Sequence, residues 1–167
     1  MRAIGRSWRS RAAMVVAVCA WLVPLRVAAQ QPLPALLVAS PDGVTESIDA
    51  LSSEPQWLIV SVTPNCPACD RLLDALATWQ SPVASARTVV VVSGEPVAVR
   101  AYVTNRRAAV ATARLYNDEQ MQLPRALGLA GGPAIVAIRA GQVEWVLKGV
   151  LNDPAALEPV MRAWIDY

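Results

Sequence analysis

The chain has 167 residues, which favours a single domain, and its 15 basic and 13 acidic residues give a formal net charge of +2. It has no histidine, which excludes hydrolases that activate serine or cysteine with an imidazole and also excludes histidine-ligated metal centres. Residues 1–29 hold five arginines and no acid, so residues 30–167 keep 10 basic and 13 acidic groups, a net charge of −3. That remainder has no basic patch for nucleic acid and no charge block for a membrane surface.

Residues 1–29 have the pattern of a secretory signal peptide. Four arginines among the first eleven residues form a basic start, and the apolar stretch Ala12–Leu25 has 14 residues, too few to span a bilayer comfortably. Val27-Ala28-Ala29 supplies small residues for cleavage, whereas Arg26 is unfavourable there and leaves an uncleaved membrane anchor as the alternative. We therefore expect export to the periplasm, with residues 30–167 forming one domain.

The three cysteines reduce to one pair in the exported domain. Cys19 lies inside the apolar stretch of the signal, and Val18 before it lacks the small side chain that a lipoprotein site needs. Cys66 and Cys69 remain, in a compartment where disulfides form. A structural bridge is one reading of this pair, although closing so short a loop contributes little stability. A metal site built on two thiolates is a further alternative; we expect no metal.

The elements predicted before the cysteine pair are short. Residues 30–34 read as a disordered lead, and strands at Ala35–Ala39 and Val44–Ile48 form a hairpin around Pro41-Asp42-Gly43. Leu58–Val62 is a continuous apolar run, which is typical of a strand buried on both faces.

A helix is predicted from Cys66 to about Gln80. Pro67 suits the first helical position, where a missing N–H costs nothing, and Asp70 and Asp74 fall on the solvent side. Apolar residues recur at helical spacing, namely at Cys69, Leu72, Leu73, Leu76 and Trp79.

The pair Cys66 and Cys69 therefore lies at the start of a helix that directly follows a strand. A helix N-terminus carries roughly half a positive charge and unpaired N–H groups, which stabilise a thiolate at Cys66. Cys69 lies one turn further on and can close back onto it. The pattern predicts a redox-active dithiol, with Cys66 as the attacking sulfur and Cys69 as the resolving sulfur.

The second half alternates strands and helices and ends on a hairpin and a closing helix. This order predicts a parallel core with right-handed crossovers and antiparallel strands at one side, hence an α/β protein with three layers around a mixed sheet. The predicted elements are a strand at Thr88–Val92, a helix at Glu95–Arg107, a strand at Ala109–Leu115, a helix at Asp118–Leu127, strands at Ala134–Arg139 and Gln142–Lys148, and a last helix capped by Asn152 or Asp153 with an apolar stripe at Leu157, Val160, Met161 and Trp164.

The cysteine motif behind a buried strand resembles the thioredoxin-like superfamily, as does Gly132-Pro133 directly before the strand Ala134–Arg139. The resemblance runs from about Leu36 to Ala163 and implies the three-layer α/β/α thioredoxin-like fold with a mixed central sheet. It also implies that the peptide bond before Pro133 is cis and that this proline faces the two cysteines.

Within the superfamily the chain is most similar to the exported TlpA-like branch, on Leu115-Tyr116-Asn117-Asp118 and Leu127-Gly128-Leu129. The Thr-Pro-Asn-Cys-Pro-Ala-Cys segment is also similar to the thioredoxin-like accessory protein of methylamine utilisation. Asn65 stands where thioredoxin has tryptophan, and Pro67-Ala68 stands where it has Gly-Pro. These departures bear on substrate and redox potential rather than on the chemistry.

The resemblance implies a thiol–disulfide oxidoreductase that exchanges disulfides with protein substrates and needs no cofactor. Its partners would be proteins with thiols or disulfides and a membrane or periplasmic redox partner that recharges the site. Thr63 and Asn65 flank the site, where they would contact the substrate or tune the Cys66 thiolate. The alternative is that they only solvate and cap the loop. The site residues are Cys66 and Cys69, joined as a disulfide, with Gly132, Pro133, Asn65, Pro67 and Ala68 in contact with substrate.

Ala68 bears on the direction of the reaction. Strongly oxidising exported proteins of this kind often have histidine at this position, where it stabilises the thiolate and so the reduced form. With alanine the disulfide should be harder to reduce and the dithiol a better donor, so we expect a reductant. The alternative is a thioredoxin-fold binding or chaperone module for one periplasmic partner, in which the cysteine pair is structural.

Overall fold

The computed structural model describes residues 31–78, 86–106, 113–149 and 156–166. The predicted signal peptide and the predicted caps at Asn152 and Asp153 lie outside these ranges, and no helix within them is long and apolar enough to cross a membrane. The elements are β1 (Gln31–Pro32), β2 (Leu37–Ala39), β3 (Thr45–Ser47), a 3₁₀ turn (Ile48–Ala50), β4 (Gln56–Val62), α1 (Pro67–Thr78), β5 (Thr88–Ser93), α2 (Pro96–Arg106), β6 (Arg114–Asp118), α3 (Gln122–Ala126), β7 (Ala134–Arg139), β8 (Gln142–Lys148) and α4 (Leu157–Ile165).

The strands form one mixed sheet in the order β1-β8-β7-β4-β5-β6-β2-β3. Strands β4, β5 and β6 are parallel and are connected through α1 and α2, while the other neighbours pair antiparallel. Because these three strands advance across the sheet in one direction, right-handed crossovers place α1 and α2 on the same face. The loops after β4, β5 and β6 therefore lie together at one edge of the sheet.

Two apolar clusters cover the two faces of the sheet. Val60 and Val90 pack with residues of α1, α2 and α4, whereas Ile59 and Val89 pack with the 3₁₀ turn and with Leu123 of α3. This confirms the α/β class and the mixed sheet. Helices α1, α2 and α4 cover one face, and the 3₁₀ turn and the short helix α3 cover the other. Each fully buried valine stabilises the folded state by about 1.5–3 kcal/mol. The central strands therefore hold the loops at their ends in fixed positions.

The predicted strands that flank Ala140-Gly141 have the bounds of β7 and β8, and the predicted hairpin near the start of the domain is formed by β2 and β3. The predicted stripe on α4 is wrong at Val160, which is 47% exposed.

The predicted disordered lead is also wrong. Gln31 and Pro32 pair with Val143 and Gln142 of β8, and the Leu33 amide donates a hydrogen bond of 2.9 Å to the Gly141 carbonyl. Burial of the Leu33 side chain and the unpaired edge of β8 account for this ordering.

The segment between α2 and β7 differs from its prediction. The strand runs over Arg114–Asp118, later than the predicted Ala109–Leu115, whose residues 109–112 lie outside the described ranges. The helix begins at Gln122 and not at Asp118. Asn117 and Asp118 are buried because they pair with Val92 and Ser93 of β5, a long-range contact that the local pattern does not reveal.

Candidate active site

Cys66 and Cys69 are joined by a disulfide, with their Cα atoms 5.2 Å apart, at the start of α1. The two sulfurs have different environments. Cys66 is half-buried, whereas Cys69 has no exposed surface and lies in the apolar cluster under α1. One sulfur of the pair is therefore open to a partner molecule and the other is not.

The backbone of α1 is directed at the Cys66 sulfur. The Cys69 amide donates a hydrogen bond of 3.1 Å to Cys66 Sγ, and the Asp70 amide donates one of 3.1 Å to the Cys66 carbonyl. Cys66 thus occupies the N-cap position of the helix, where its side chain accepts an N–H that would otherwise have no partner. This geometry favours the charged form of the sulfur over the neutral one.

The loop between β4 and the helix is Thr63-Pro64-Asn65. Asn65 is exposed and adopts φ +58°, a left-handed conformation that asparagine tolerates better than most residues. Its place next to Cys66 is thus that of a turn residue on the surface. Thr63 Oγ1 lies 4.0 Å from Cys69 Sγ, on the buried side of the disulfide.

Gly94 is a site residue that the sequence analysis missed. It follows β5 directly, and a Cβ atom built on it would lie 3.1 Å from Pro64 Cδ and 3.2 Å from Val99 Cγ2. The space at Gly94 is therefore tight, and a side chain there would have to displace Pro64 or Val99 by a few tenths of an ångström where the β5 loop approaches the cysteine loop. The available signal was a Ser-Gly pair directly behind the four valines of a strand that leads to the same edge of the sheet.

The structure brings Gly132 and Pro133 to the cysteine loop. Strand β7 pairs antiparallel with β4 up to Ala134 opposite Ser61, so the residues before β7 lie beside the residues that follow β4. Pro133 is buried, and its carbonyl accepts a hydrogen bond of 3.1 Å from the Gly149 amide. Of the other predicted contact residues, Pro67 is exposed and Ala68 is half-buried.

The prediction of a cis bond before Pro133 is wrong. Among the described residues no peptide bond is cis, so the bond between Gly132 and Pro133 is trans. The two isomers before proline differ by only about 0.5–1 kcal/mol, which leaves the choice to the surrounding structure. Here Gly132 makes the turn with φ +151°, a conformation that residues with side chains rarely adopt.

A polar network fixes the first turn of α1 to α2. The Tyr102 hydroxyl donates a hydrogen bond of 2.7 Å to Asp70 Oδ1, and Arg106 contacts Asp70 at 2.8 Å and Asp74 at 2.7 Å. Burial, followed by the hydrogen bond to Asp70, raises the pKa of Tyr102 well above its usual value, so the hydroxyl stays a donor. The expectation that Asp70 points to solvent is thus only partly correct, since its carboxylate is a bridge between two helices.

Within the described ranges no group of three or more histidine, cysteine or acidic side chains is placed to hold a metal ion.

The strand order and the position of the cysteines at the start of α1 are those of a thioredoxin-like fold. Solved structures support this, with TM-scores near 0.6 over most of both chains. A structure of MTB DsbF in its mixed oxidised and reduced forms has a TM-score of 0.60 at 18% identity and covers 78% of this chain and 95% of its own.

Two further structures show the same likeness. A putative thiol:disulfide interchange protein DsbE from Chlorobium tepidum has a TM-score of 0.60 at 18% identity and covers 81% of this chain and 96% of its own. A secreted Mycobacterium tuberculosis disulfide oxidoreductase homologous to E. coli DsbE has 0.59 at 17% identity, with coverage of 77% and 96%. No protein-family model and no curated protein sequence matches the chain. At these identities the likeness establishes the fold.

Proposed function

We propose that this protein is a thiol–disulfide oxidoreductase that exchanges disulfides with protein substrates through Cys66 and Cys69. One observation carries the proposal. A half-buried sulfur at a helix N-terminus, with a helix N–H 3.1 Å away, is bonded to a fully buried sulfur one turn later. A bridge made only for stability needs neither the helix N-terminus nor this difference in exposure.

The proposed cycle starts from the dithiol. The Cys66 thiolate attacks one sulfur of a client disulfide, the S–S bond breaks, and a client thiolate leaves and takes up a proton. Cys69 then loses its proton and attacks Cys66 Sγ, which releases the second client thiolate and forms the Cys66–Cys69 disulfide. Two electrons pass to the client, which is reduced, and the protein is oxidised. Run in reverse, the site oxidises a client dithiol.

The client is proposed to lie along the loop that precedes β7. An extended peptide can pair with exposed backbone groups beside the cysteines, as in strand addition. Pro133 has no N–H, and its carbonyl already accepts a hydrogen bond from the Gly149 amide. The backbone groups proposed to pair with the client are therefore those of Gly131 and Gly132. The absence of side chains at these two glycines leaves room for a client chain, and Asn65, Pro67 and Ala68 are the further proposed contact residues.

The direction is proposed to be reductive. Between the sulfurs lie only Pro67 and Ala68, so no charged side chain of that turn adds to the helix in stabilising the thiolate. We expect equilibration with glutathione to give a midpoint potential well below the value of about −120 mV typical of strong oxidants. A potential near that value would reverse the assigned direction and leave the exchange chemistry in place.

Export and a periplasmic location are also proposed, supported by the charge and apolar pattern of residues 1–29. A membrane or periplasmic redox partner would return the disulfide to the dithiol. A reporter enzyme that is active only outside the cytoplasm, fused behind residue 35, tests this. Activity that is lost when four arginines are removed from the first eleven residues supports the signal.

Trapping tests the exchange chemistry. In Cys69→Ser the second step is blocked, so we expect clients to accumulate on Cys66 as mixed disulfides that a reductant releases. The matched control is the Cys66→Ser, Cys69→Ser double variant, which should trap nothing. A Cys69→Ser protein that binds a partner without any covalent link would instead identify a binding module.

A further inference from the structure

The two sulfurs of the disulfide have separate polar contacts. Cys66 Sγ accepts the Cys69 amide at 3.1 Å, so the helix N-terminus is directed at the attacking sulfur. Cys69 Sγ has no exposed surface and lies in an apolar cluster with Leu72 and Leu73 of its own helix. In the described part of the chain, the polar side-chain atom that contacts Cys69 Sγ is Thr63 Oγ1, at 4.0 Å.

This arrangement poses a problem for the second half of the cycle. Cys69 must become a thiolate before it can attack, and burial in an apolar environment disfavours the charged form of a thiol. The Cys69 N–H already donates its hydrogen bond to Cys66 Sγ and does not serve the Cys69 sulfur. A second donor is needed at the buried side.

We propose that Thr63 is a catalytic residue of the resolving step, in which its hydroxyl donates a hydrogen bond to the Cys69 thiolate. The inference rests on the proposed exchange function and assigns one step of it. Thr63 is held in place because β4, which ends at Val62, is paired with β5 on one side and β7 on the other. Its branched side chain has few rotamers, so the hydroxyl is pre-positioned.

The Cys69 S–H bond breaks and its proton passes to water, and the client thiolate takes up a proton from water once it is released. The new S–S bond joins Cys69 to Cys66, and the bond between Cys66 and the client breaks. Thr63 keeps its own proton throughout and contributes a hydrogen bond to a sulfur that is charged only while the step proceeds.

The test uses the reduced protein and a symmetrical aromatic disulfide that releases a coloured thiolate. Attack by Cys66 releases the first coloured thiolate, and closure by Cys69 releases the second, so stopped-flow absorbance separates the two steps. Thr63→Val keeps the shape of the side chain and removes the hydroxyl, while Thr63→Ser keeps the hydroxyl.

We expect Thr63→Val to slow the second release by about tenfold to a hundredfold, the effect of losing a hydrogen bond to a charged group. The midpoint of its pH profile should move upward, while the first release keeps its rate and profile. Thr63→Ser should stay within about twofold to threefold of the parent protein, since a hydroxyl is still present.

Equal second rates in Thr63→Val and the parent would overturn the inference, as would a serine variant as slow as the valine variant, since that points to packing. If Thr63→Val does not fold, Thr63→Ala against Thr63→Ser gives the same comparison. Failure of the proposed exchange function looks different, because then even the parent protein would show no fast first release.

Discussion

Two strand-to-helix junctions at the same edge of the sheet use the helix N-terminus in opposite ways. After β4, a left-handed residue, Asn65, precedes the N-cap residue Cys66, and the Cys69 amide in the first turn of α1 donates to Cys66 Sγ. After β6, a left-handed residue, Met121, leads to α3, whose Gln122 and Leu123 amides donate to the carboxylate of Asp118 at 2.9 and 3.0 Å.

Both junctions have a left-handed residue near the helix start, and the acceptors of the first-turn amides differ. Asp118 has only 1% of its surface exposed and also accepts the Ser93 hydroxyl at 2.9 Å, so all of its bonds are structural. At Cys66 the acceptor is a sulfur that can change its charge and its covalent partner. A helix N-terminus thus supports a reaction only when the group that accepts its amide hydrogen bond is itself reactive, as the Cys66 sulfur is.

Substitution of Asp118 should destabilise the protein more than any other change considered below. Asp118→Ala leaves three buried or half-buried donors without their acceptor, and we expect a loss of about 3 kcal/mol or more in the free energy of unfolding. Urea unfolding of the disulfide form measures this loss. The alkylation rate of Cys66 in the folded, reduced protein should not change.

Asp74→Ala is the control for Asp118→Ala. The Asp74 side chain is 60% exposed in its ion pair with Arg106, so its loss should lower the free energy of unfolding by less than about 1 kcal/mol. An Asp118→Ala protein as stable as this control would show that the α3 junction does not need its carboxylate.

Substitution of Gly94 should cause the next largest loss of stability. In Gly94→Ala the new Cβ pushes against the Pro64 ring at 3.1 Å, and crowding of this kind costs about 1–3 kcal/mol. Because Pro64 is two residues before Cys66, we also expect slower alkylation of Cys66. Pro64→Ala on the Gly94→Ala background should restore part of the loss, and strictly additive effects of the two changes would contradict the contact.

Tyr102→Phe removes one hydrogen bond to Asp70 and leaves Arg106 in place, so we expect a loss of about 1 kcal/mol. The pKa of Tyr102 is raised in the folded protein, so its contribution is complete below the ordinary tyrosine pKa of about 10 and is lost as pH rises through the folded value. Thermal unfolding against pH should show a smaller alkaline loss in the phenylalanine variant. Parallel curves would contradict this.

The smallest effect is at a third junction, between β5 and α2. The exposed carboxylate of Glu95 accepts the Ala98 amide at 3.0 Å, and this bond, with one from Val97, lowers the pKa of Glu95. Its contribution is therefore present above the ordinary value of about 4.3 and is lost as pH falls through the folded value. Glu95→Gln should unfold with a slightly weaker acid dependence than the parent, and an unchanged dependence would remove Glu95 from the set of caps.

The sequence was sufficient wherever the signal was local. Strands β7 and β8 flank a short Ala-Gly turn and have the predicted bounds, and the helix behind Cys66 follows from proline and apolar spacing. Asp118 was misplaced as the first residue of a helix because its burial depends on pairing with Ser93, 25 residues earlier.

The two cysteines of the site could be predicted from the sequence, but the residues that contact them could not. The contact between Thr63 and Cys69 depends on the turn at Asn65, and the contact between Gly94 and Pro64 joins two loops that only the parallel sheet brings together. The resemblance predicted a cis bond before Pro133, where the structure has a trans bond.

The complete burial of Cys69 has a consequence for oxidative damage. A peroxide that reaches the accessible Cys66 sulfur would convert it to a sulfenic acid, the first and reversible stage of thiol oxidation. The shielded Cys69 thiol beside it would condense with that acid and expel water, leaving the same Cys66–Cys69 disulfide that the proposed exchange cycle forms. The pair thereby protects itself from sulfinic acid, which no ordinary thiol donor can reverse.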